Sequence, residues 1–354
     1  MGSGSVLLLS YSGVLGGAER VLLDCAVRLE SSAGIACPEG PLADAARAAG
    51  LPVSPVPART FRLRGGRAAV AHAAGIAALA EDARRLCRDL RPDALLAWGA
   101  RAALAATLIP RRARPPLLAV HCDLPPRGPV ARAVRLSARR ADGAAALSHA
   151  IADAVAPGAT VLHPGVDLEA WSPAPPPPAP PRALVLGALV PWKRPDLALE
   201  VAALMPELRL ELAGARIPGD DPGFEIALRR RADAADLRGR VKLLGAVADP
   251  RPALARAHCL LHCADAEPYG LALVEALAAG RPVVAPAAAG PLEIVGDGGR
   301  LYPPGDARAA AEALEAVVAD PAAGARARAR AEQRFPVAAS AARLREALTA
   351  IGSP

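Results

Sequence analysis

A chain of 354 residues exceeds what one hydrophobic core ordinarily serves, so two domains of roughly 150–180 residues are expected, and 53% apolar residues supply material for both. No apolar run approaches the ~20 residues that span a bilayer, and "VLLLS" near the start is too short for a secretion signal's apolar region, which predicts a cytoplasmic protein, peripheral at most to the inner face of a membrane. The net charge of +7 lies entirely in residues 1–168, with 20 arginines against 13 acidic residues, and such an excess attracts phosphates, anionic lipids or acidic substrates. With three Phe, three Tyr and three Trp in all, the chain lacks the stacking aromatics of a nucleic-acid reader.

The first predicted element is a strand in "SVLLLSYSG", followed by a Gly-bearing turn and a helix in "GGAERVLLDCAVRL", where Val21, Leu22, Cys25 and Leu29 repeat at helical spacing. "GIACPEG", "DALLAW", "LLAVHCD", "GAAALS" and "TVLHPG" are further strands, separated by Ala- and Arg-rich helical stretches such as 67–90 and 128–141. This alternation implies a doubly wound parallel sheet, whose ligands bind at the carboxyl ends of its strands. The proline run "SPAPPPPAPPR" (172–182) fits neither a helix nor an inner strand and reads as a stiff linker. Beyond it the alternation resumes with strands in "RALVLGALV", "ELRLELAG", "RVKLLGA", "HCLLHCA", "RPVVAP" and "GGRLYP". The expected domains are therefore 1–171, a linker over 172–182, 183–335, and a final helical stretch over 336–354 that could cross back to the first domain. Two such halves on a hinge place a cleft between them.

Six cysteines without a CxxC pair point to reduced thiols. His258, Cys259, His262 and Cys263 resemble a ligand set, but on a strand residues four apart lie ~13 Å from each other, too far to share one metal.

The stretch "AEPYGLALVEALAAG" (266–280) carries two carboxylates eight positions apart. Pro268 and Gly270 punctuate a loop, and a helix begins near Gly270, whose unpaired N–H groups and positive dipole end suit a phosphate. Glu267 then sits beside that anion site and Glu275 about 8 Å along the helix. Carboxylates accept hydrogen bonds in pairs and suit the hydroxyls of a sugar or ribose. An anion pocket between two hydroxyl readers describes a nucleotide sugar; the plainer alternative is a buried helix with one Glu complementing its dipole and one solvated.

With these motifs in order, the chain from about Gly16 to Asp306 resembles glycosyltransferase family 4. The resemblance rests on Glu267-Pro268-Tyr269-Gly270 with Glu275 and the following "AAGRPVVA", on "GPLEIVGDGGRLYPPGD" (290–306), on "VLHPGVDLEAW" (161–171), on "LGALVPWKRPDLALEVA" (186–202) and on "GGAE" (16–19). It implies the GT-B fold, two Rossmann-like domains facing a central cleft, with the acceptor in the first and the nucleotide sugar in the second. It implies a retaining, metal-independent hexosyltransferase without a cofactor, moving a sugar from a UDP- or GDP-sugar to a hydroxyl of a small-molecule, glycan or lipid acceptor, in bacterial natural-product or cell-envelope glycan synthesis, as a monomer or homodimer. A nucleotide-sugar epimerase of the same fold and a degenerate, inactive transferase are the alternatives.

Residue by residue, the resemblance assigns Glu275 to the ribose hydroxyls and Glu267 to the donor sugar beside the reacting carbon. It assigns the amides around Tyr269, Gly270 and Leu271 to the diphosphate, and Lys193 to the charge of the leaving group. Gly16 and Gly17 let backbone approach the donor phosphate; Gly187, Gly245 and Val247 complete the donor side, and His121 stands near the transferring sugar. One departure is Ala188, where the family usually has an arginine on the diphosphate; Arg194 and Arg216 are the candidate substitutes. The segment "RTFRLRGGR", with Arg59, Arg62, Arg64 and Arg67, joins His121 and Asp123 as the expected acceptor side, for an anionic acceptor or an acidic membrane surface, with a neutral aglycone, cyclitol or aminosugar equally open.

Overall fold

The computed structural model describes residues 5–29, 32–59, 69–217 and 220–352. The chain divides into two units, Met1–Pro164 with Val337–Pro354, and Gly165–Pro336.

The first unit runs β1 (Ser5–Leu9), α1 (Gly17–Val27), β2 (Ser32–Cys37), α2 (Pro41–Ala48), β3 (Val53–Pro55), α3 (Ala69–Leu90), β4 (Ala94–Trp98), α4 (Ala100–Leu108), β5 (Leu117–His121), α5 (Pro129–Arg140), β6 (Gly143–Ala146), α6 (His149–Val155) and β7 (Thr160–Val161). Its seven strands pair in parallel in the order β3-β2-β1-β4-β5-β6-β7. Leu7 and Leu9 of β1 pack in one cluster with Leu79, Leu95 and Leu117, while Val6 and Leu8, equally buried, alternate to the other face. A strand apolar on both faces is what a sheet covered by helices on both sides requires.

The second unit continues with β8 (Arg182–Leu186), α7 (Pro195–Leu204), β9 (Arg209–Ala213), α8 (Gly223–Ala232), β10 (Val241–Gly245), α9 (Arg251–Ala255), β11 (Cys259–Leu261), α10 (Leu271–Ala278), β12 (Val283–Pro286), α11 (Gly290–Ile294), β13 (Gly299–Tyr302), α12 (Ala307–Val318) and α13 (Ala323–Arg334). Its six strands are parallel in the order β10-β9-β8-β11-β12-β13. The last helix, α14 (Val337–Ala350), belongs to the first unit, where it packs on α1, β6 and β7.

The division falls earlier than the proline run, which lies wholly inside the second unit. Prolines lack a backbone donor but keep their carbonyls. The buried Arg281 guanidinium uses one, donating to Pro175 O at 3.1 Å, to Leu254 O at 3.0 Å and to Ala255 O at 3.0 Å. The run closes with the Arg182 N–H donating to His258 Nδ1 at 3.0 Å. The chain crosses between units at 164–165 and 336–337 instead, and just inside the second unit Val166 N–H donates to Phe335 O at 3.0 Å.

Candidate functional site

In the second unit the strand order reverses between β8 and β11, adjacent strands whose chains turn away to opposite sides, and open parallel sheets bind ligands at the carboxyl ends of such a pair. The segment after β8 reaches Lys193 through a single 3-10 turn, Pro191–Lys193, and the segment after β11 carries His262 and Glu267. These side chains meet. Lys193 Nζ donates to Glu267 Oε2, and His262 Nε2 lies 3.2 Å from the same oxygen. Glu267 is 7% exposed. Burial pushes its carboxyl up, but His262 and the Lys193 ammonium outweigh that and hold it at about 2. Lys193 Nζ also sits 4.4 Å from the centre of the Trp192 ring.

Gly270 caps α10 with φ +108, a left-handed conformation open to glycine at little cost. Gly290 holds the same loop from behind. Its N–H donates to Glu267 O at 2.9 Å, and a Cβ there would stand 2.1 Å from Tyr269 O, so no larger residue fits. The start of α10 is thus fixed beside the Lys193–Glu267 pair, and Glu275 lies one turn on, 7% exposed. The mean hydropathy of α10 explains its burial: Leu273, Val274, Ala276, Leu277 and Ala278 are inaccessible, leaving Glu275 as its one charged side chain.

Gly187, after β8, donates its N–H to Ala213 O at 3.0 Å, and Gly245, ending β10, accepts from Gly214 N–H at 2.7 Å, so both stand at carboxyl ends on the β9 side of the pair. Val247 is half-buried just beyond β10. Arg194 turns elsewhere: its guanidinium bonds Asp196 at 3.0 Å and Asp265 at 3.3 Å, which raises its pKa further. Arg216 donates to Asp220 O at 2.7 Å. Neither expected substitute for the cation absent at Ala188 joins the Lys193–Glu267–His262 cluster. Its third member, His262, comes from the position read as part of a buried strand. β11 ends at Leu261, so His262 opens the loop. The signal available in the sequence was its place five residues before Glu267, at the end of that strand.

The first unit has its own reversal, between β1 and β4. A cavity of about 380 Å³ opens at these carboxyl ends, lined among others by Ser10, Ser12, Glu19, Trp98, Arg101 and Asp123. Gly16 N–H donates to the Glu19 carboxylate at 3.2 Å, which orients the Gly16-Gly17 turn at the start of α1. Trp98 Nε1–H donates to Ala18 O at 3.0 Å. Arg101, half-buried on the first turn of α4, has its pKa lowered by burial, while Glu19 and Asp123 act the other way. Nothing in "WGARAAL" distinguishes Arg101 from the chain's other arginines, so its place at the cavity is visible only in the fold.

His121 ends β5 and is 2% exposed; burial holds it at about 4, so it is neutral at pH 7, and its Nε2 has no hydrogen-bond partner among the described residues. Asp123, two residues on, is exposed at the cavity. Arg59, expected on the acceptor side, is instead tied by its guanidinium to the buried Asp82 of α3 at 3.0 Å, where Arg85 joins at 2.7 Å. Arg62, Arg64 and Arg67 lie outside the described residues. All six cysteines are unpaired and buried. No helix among the described residues is long and apolar enough to cross a membrane.

Residues 170–334 match the family model described as "Glycosyl transferases group 1". Among curated proteins, the D-inositol 3-phosphate glycosyltransferase of Kribbella flavida is 36% identical over 186 residues, 46% of this chain and 43% of that protein. The lipopolysaccharide core biosynthesis glycosyltransferase LpsE of Rhizobium meliloti is 32% identical over 142 residues, 40% of each. The chain spans less than half the length of these curated relatives. Among solved structures, Anabaena Alr3699/HepE in complex with UDP-glucose matches at a TM-score of 0.82 and 23% identity, over 98% of this chain and 99% of that one. The sucrose-phosphate synthase of Thermosynechococcus elongatus matches at 0.79 and 17%, over 97% and 98%. The likeness establishes the fold class: two Rossmann-like parallel-sheet units, as in GT-B structures.

Proposed function

We propose that the chain is a retaining glycosyltransferase of family 4 that moves a sugar from a UDP-sugar to a hydroxyl of a small polyol, glycan or lipid acceptor. The observation that carries this reading is the cluster of Lys193, Glu267 and His262 beside the glycine-capped start of α10, with Glu275 one turn further. In this reading the amides at Tyr269, Gly270 and Leu271 and the Lys193 ammonium take the diphosphate, Glu275 takes the ribose hydroxyls, and the ionised Glu267 accepts from the donor sugar. The choice of uridine follows the UDP and UDP-glucose of the HepE structures.

The step breaks the bond between the sugar's anomeric carbon and the diphosphate oxygen and forms one to the acceptor oxygen on the same face. The acceptor's proton passes to the leaving phosphate. Lys193 exchanges its bond to Glu267 for one to the departing diphosphate, a preorganised charge where negative charge develops. The positive charge for the leaving group thus comes from Lys193 and the helix amides, and the reaction needs no added metal. Ser10, Ser12, Glu19, Arg101 and Asp123 give the first unit's cavity the mixed donors and acceptors that a polyhydroxyl acceptor takes.

The test is acceptor-dependent UDP release from UDP-sugars, with the product's anomeric configuration read by NMR and chelator present throughout. Transfer with retained configuration supports the reading. Consumption of donor without any acceptor would point to an epimerase, and dependence on added metal would contradict the assigned role of Lys193.

A further inference from the structure

Part of the arginine excess of the first half gathers on one face. Helix α5 carries four arginines and no acidic residue. Arg132, Arg135, Arg139 and Arg140 stand at the first position and three, seven and eight residues beyond it, share one side of the helix, and are all exposed. Leu136 stands among them, 46% exposed, while Ala131, Val134, Ser137 and Ala138 fill the buried side. Next to this face α4 ends with Leu108, 51% exposed, and the chain continues into the exposed Arg111 and Arg112. Leu108 and Arg111 line one shallow depression with Arg139 and Arg140, so both groups belong to a single surface.

Asp142 is the acidic side chain drawn into it, held by Arg111 at 3.0 Å and by the buried Arg114. Arg135 donates to the neutral Ala154 carbonyl at 2.8 Å and keeps its charge uncompensated there. A strong positive excess therefore remains around two exposed leucines.

We infer that this face rests on an anionic lipid surface. A helix with a basic exposed face that also presents leucine is the composition of an interfacial helix, whose arginines meet lipid phosphates while its apolar side chains enter the headgroup boundary. A nucleic-acid backbone would use the arginines but leave Leu108 and Leu136 without a role, and the face carries no ring on which a base could stack. The inference does not depend on the donor chemistry of the second unit. It moves the membrane contact expected of the 59–67 segment to α5 and the end of α4.

The experiment is co-sedimentation of the full chain with phosphatidylcholine vesicles, with and without phosphatidylglycerol, at low and raised salt. Binding is expected with the anionic vesicles alone, weakening with salt. A protein carrying Arg132→Gln, Arg135→Gln, Arg139→Gln and Arg140→Gln is expected to lose about 600-fold in partitioning, at roughly fivefold per arginine, with its melting curve unchanged. Leu108→Ser with Leu136→Ser is expected to lose several-fold at constant charge. Absent binding to anionic vesicles, unchanged binding of the quadruple variant, or tighter binding to duplex DNA than to vesicles at equal phosphate would each overturn the inference.

Discussion

Replacing Glu267 with Gln isolates the electrostatics of the second unit's cluster. In the folded chain this carboxyl titrates at about 2, against 4.5 for an ordinary glutamate. A group whose folded value lies below its unfolded one adds stability that is present above the unfolded value and lost as pH falls toward the folded one. The gap corresponds to about 3 kcal/mol at neutral pH, of which about 2 kcal/mol is gone by pH ~3. The group is 7% exposed, so solvent screens little of it. Denaturant unfolding of the wild type and of Glu267→Gln between neutral pH and pH ~3 checks this. The expected result is a variant less stable by about 3 kcal/mol at neutral pH, with the difference shrinking below pH ~4.5 as the wild type loses its advantage. A difference that stays constant across that range would show that Lys193 and His262 do not hold the carboxylate ionised.

Other substitutions separate binding from packing. Lys193→Ala is expected to lower turnover by about 10²–10³-fold with a smaller effect on acceptor KM, since it removes charge stabilisation at the leaving group; steady-state kinetics with each substrate varied tests it. Gly290→Ala is expected to destabilise the protein and abolish UDP binding together, because a Cβ 2.1 Å from Tyr269 O must displace the loop that starts α10; thermal melts with and without UDP report both. Asp82→Asn is expected to cost about 1–3 kcal/mol, nearer the lower figure because the Arg59 and Arg85 side chains it leaves behind are 35% and 53% exposed. UDP binding by that variant should be unchanged, and a loss would show that the Asp82 network reaches the donor site.

Much of this architecture is legible in the residues because the physics that dictates it is local. Continuous apolar strands such as "DALLAW", separated by helical spacing, specify parallel sheets covered on both faces, and Gly270 between two glutamates marks the start of α10. Other features depend on partners distant in sequence. β3 hides in "VSP" because proline argues against a strand, yet an edge position bonded only to β2 tolerates it. The proline run reads as a linker until Arg281, about a hundred residues on, is seen to fasten it to the second unit. Arg59 reads as an acceptor contact until Asp82 fixes it to α3. His262 reads as a strand residue because strand length is set by pairing with β8 and β12, which local alternation does not encode.

If the start of α10, Lys193 and the two glutamates form a nucleotide-sugar site, calorimetric titration of the purified protein with UDP, beside GDP, dTDP and ADP, will register it. The expected result is a single class of UDP binding that Glu275→Ala weakens about 10- to 100-fold, the loss of a charge-assisted pair of hydrogen bonds to the ribose. No binding of any of the four, or UDP binding indifferent to Glu275, would contradict it.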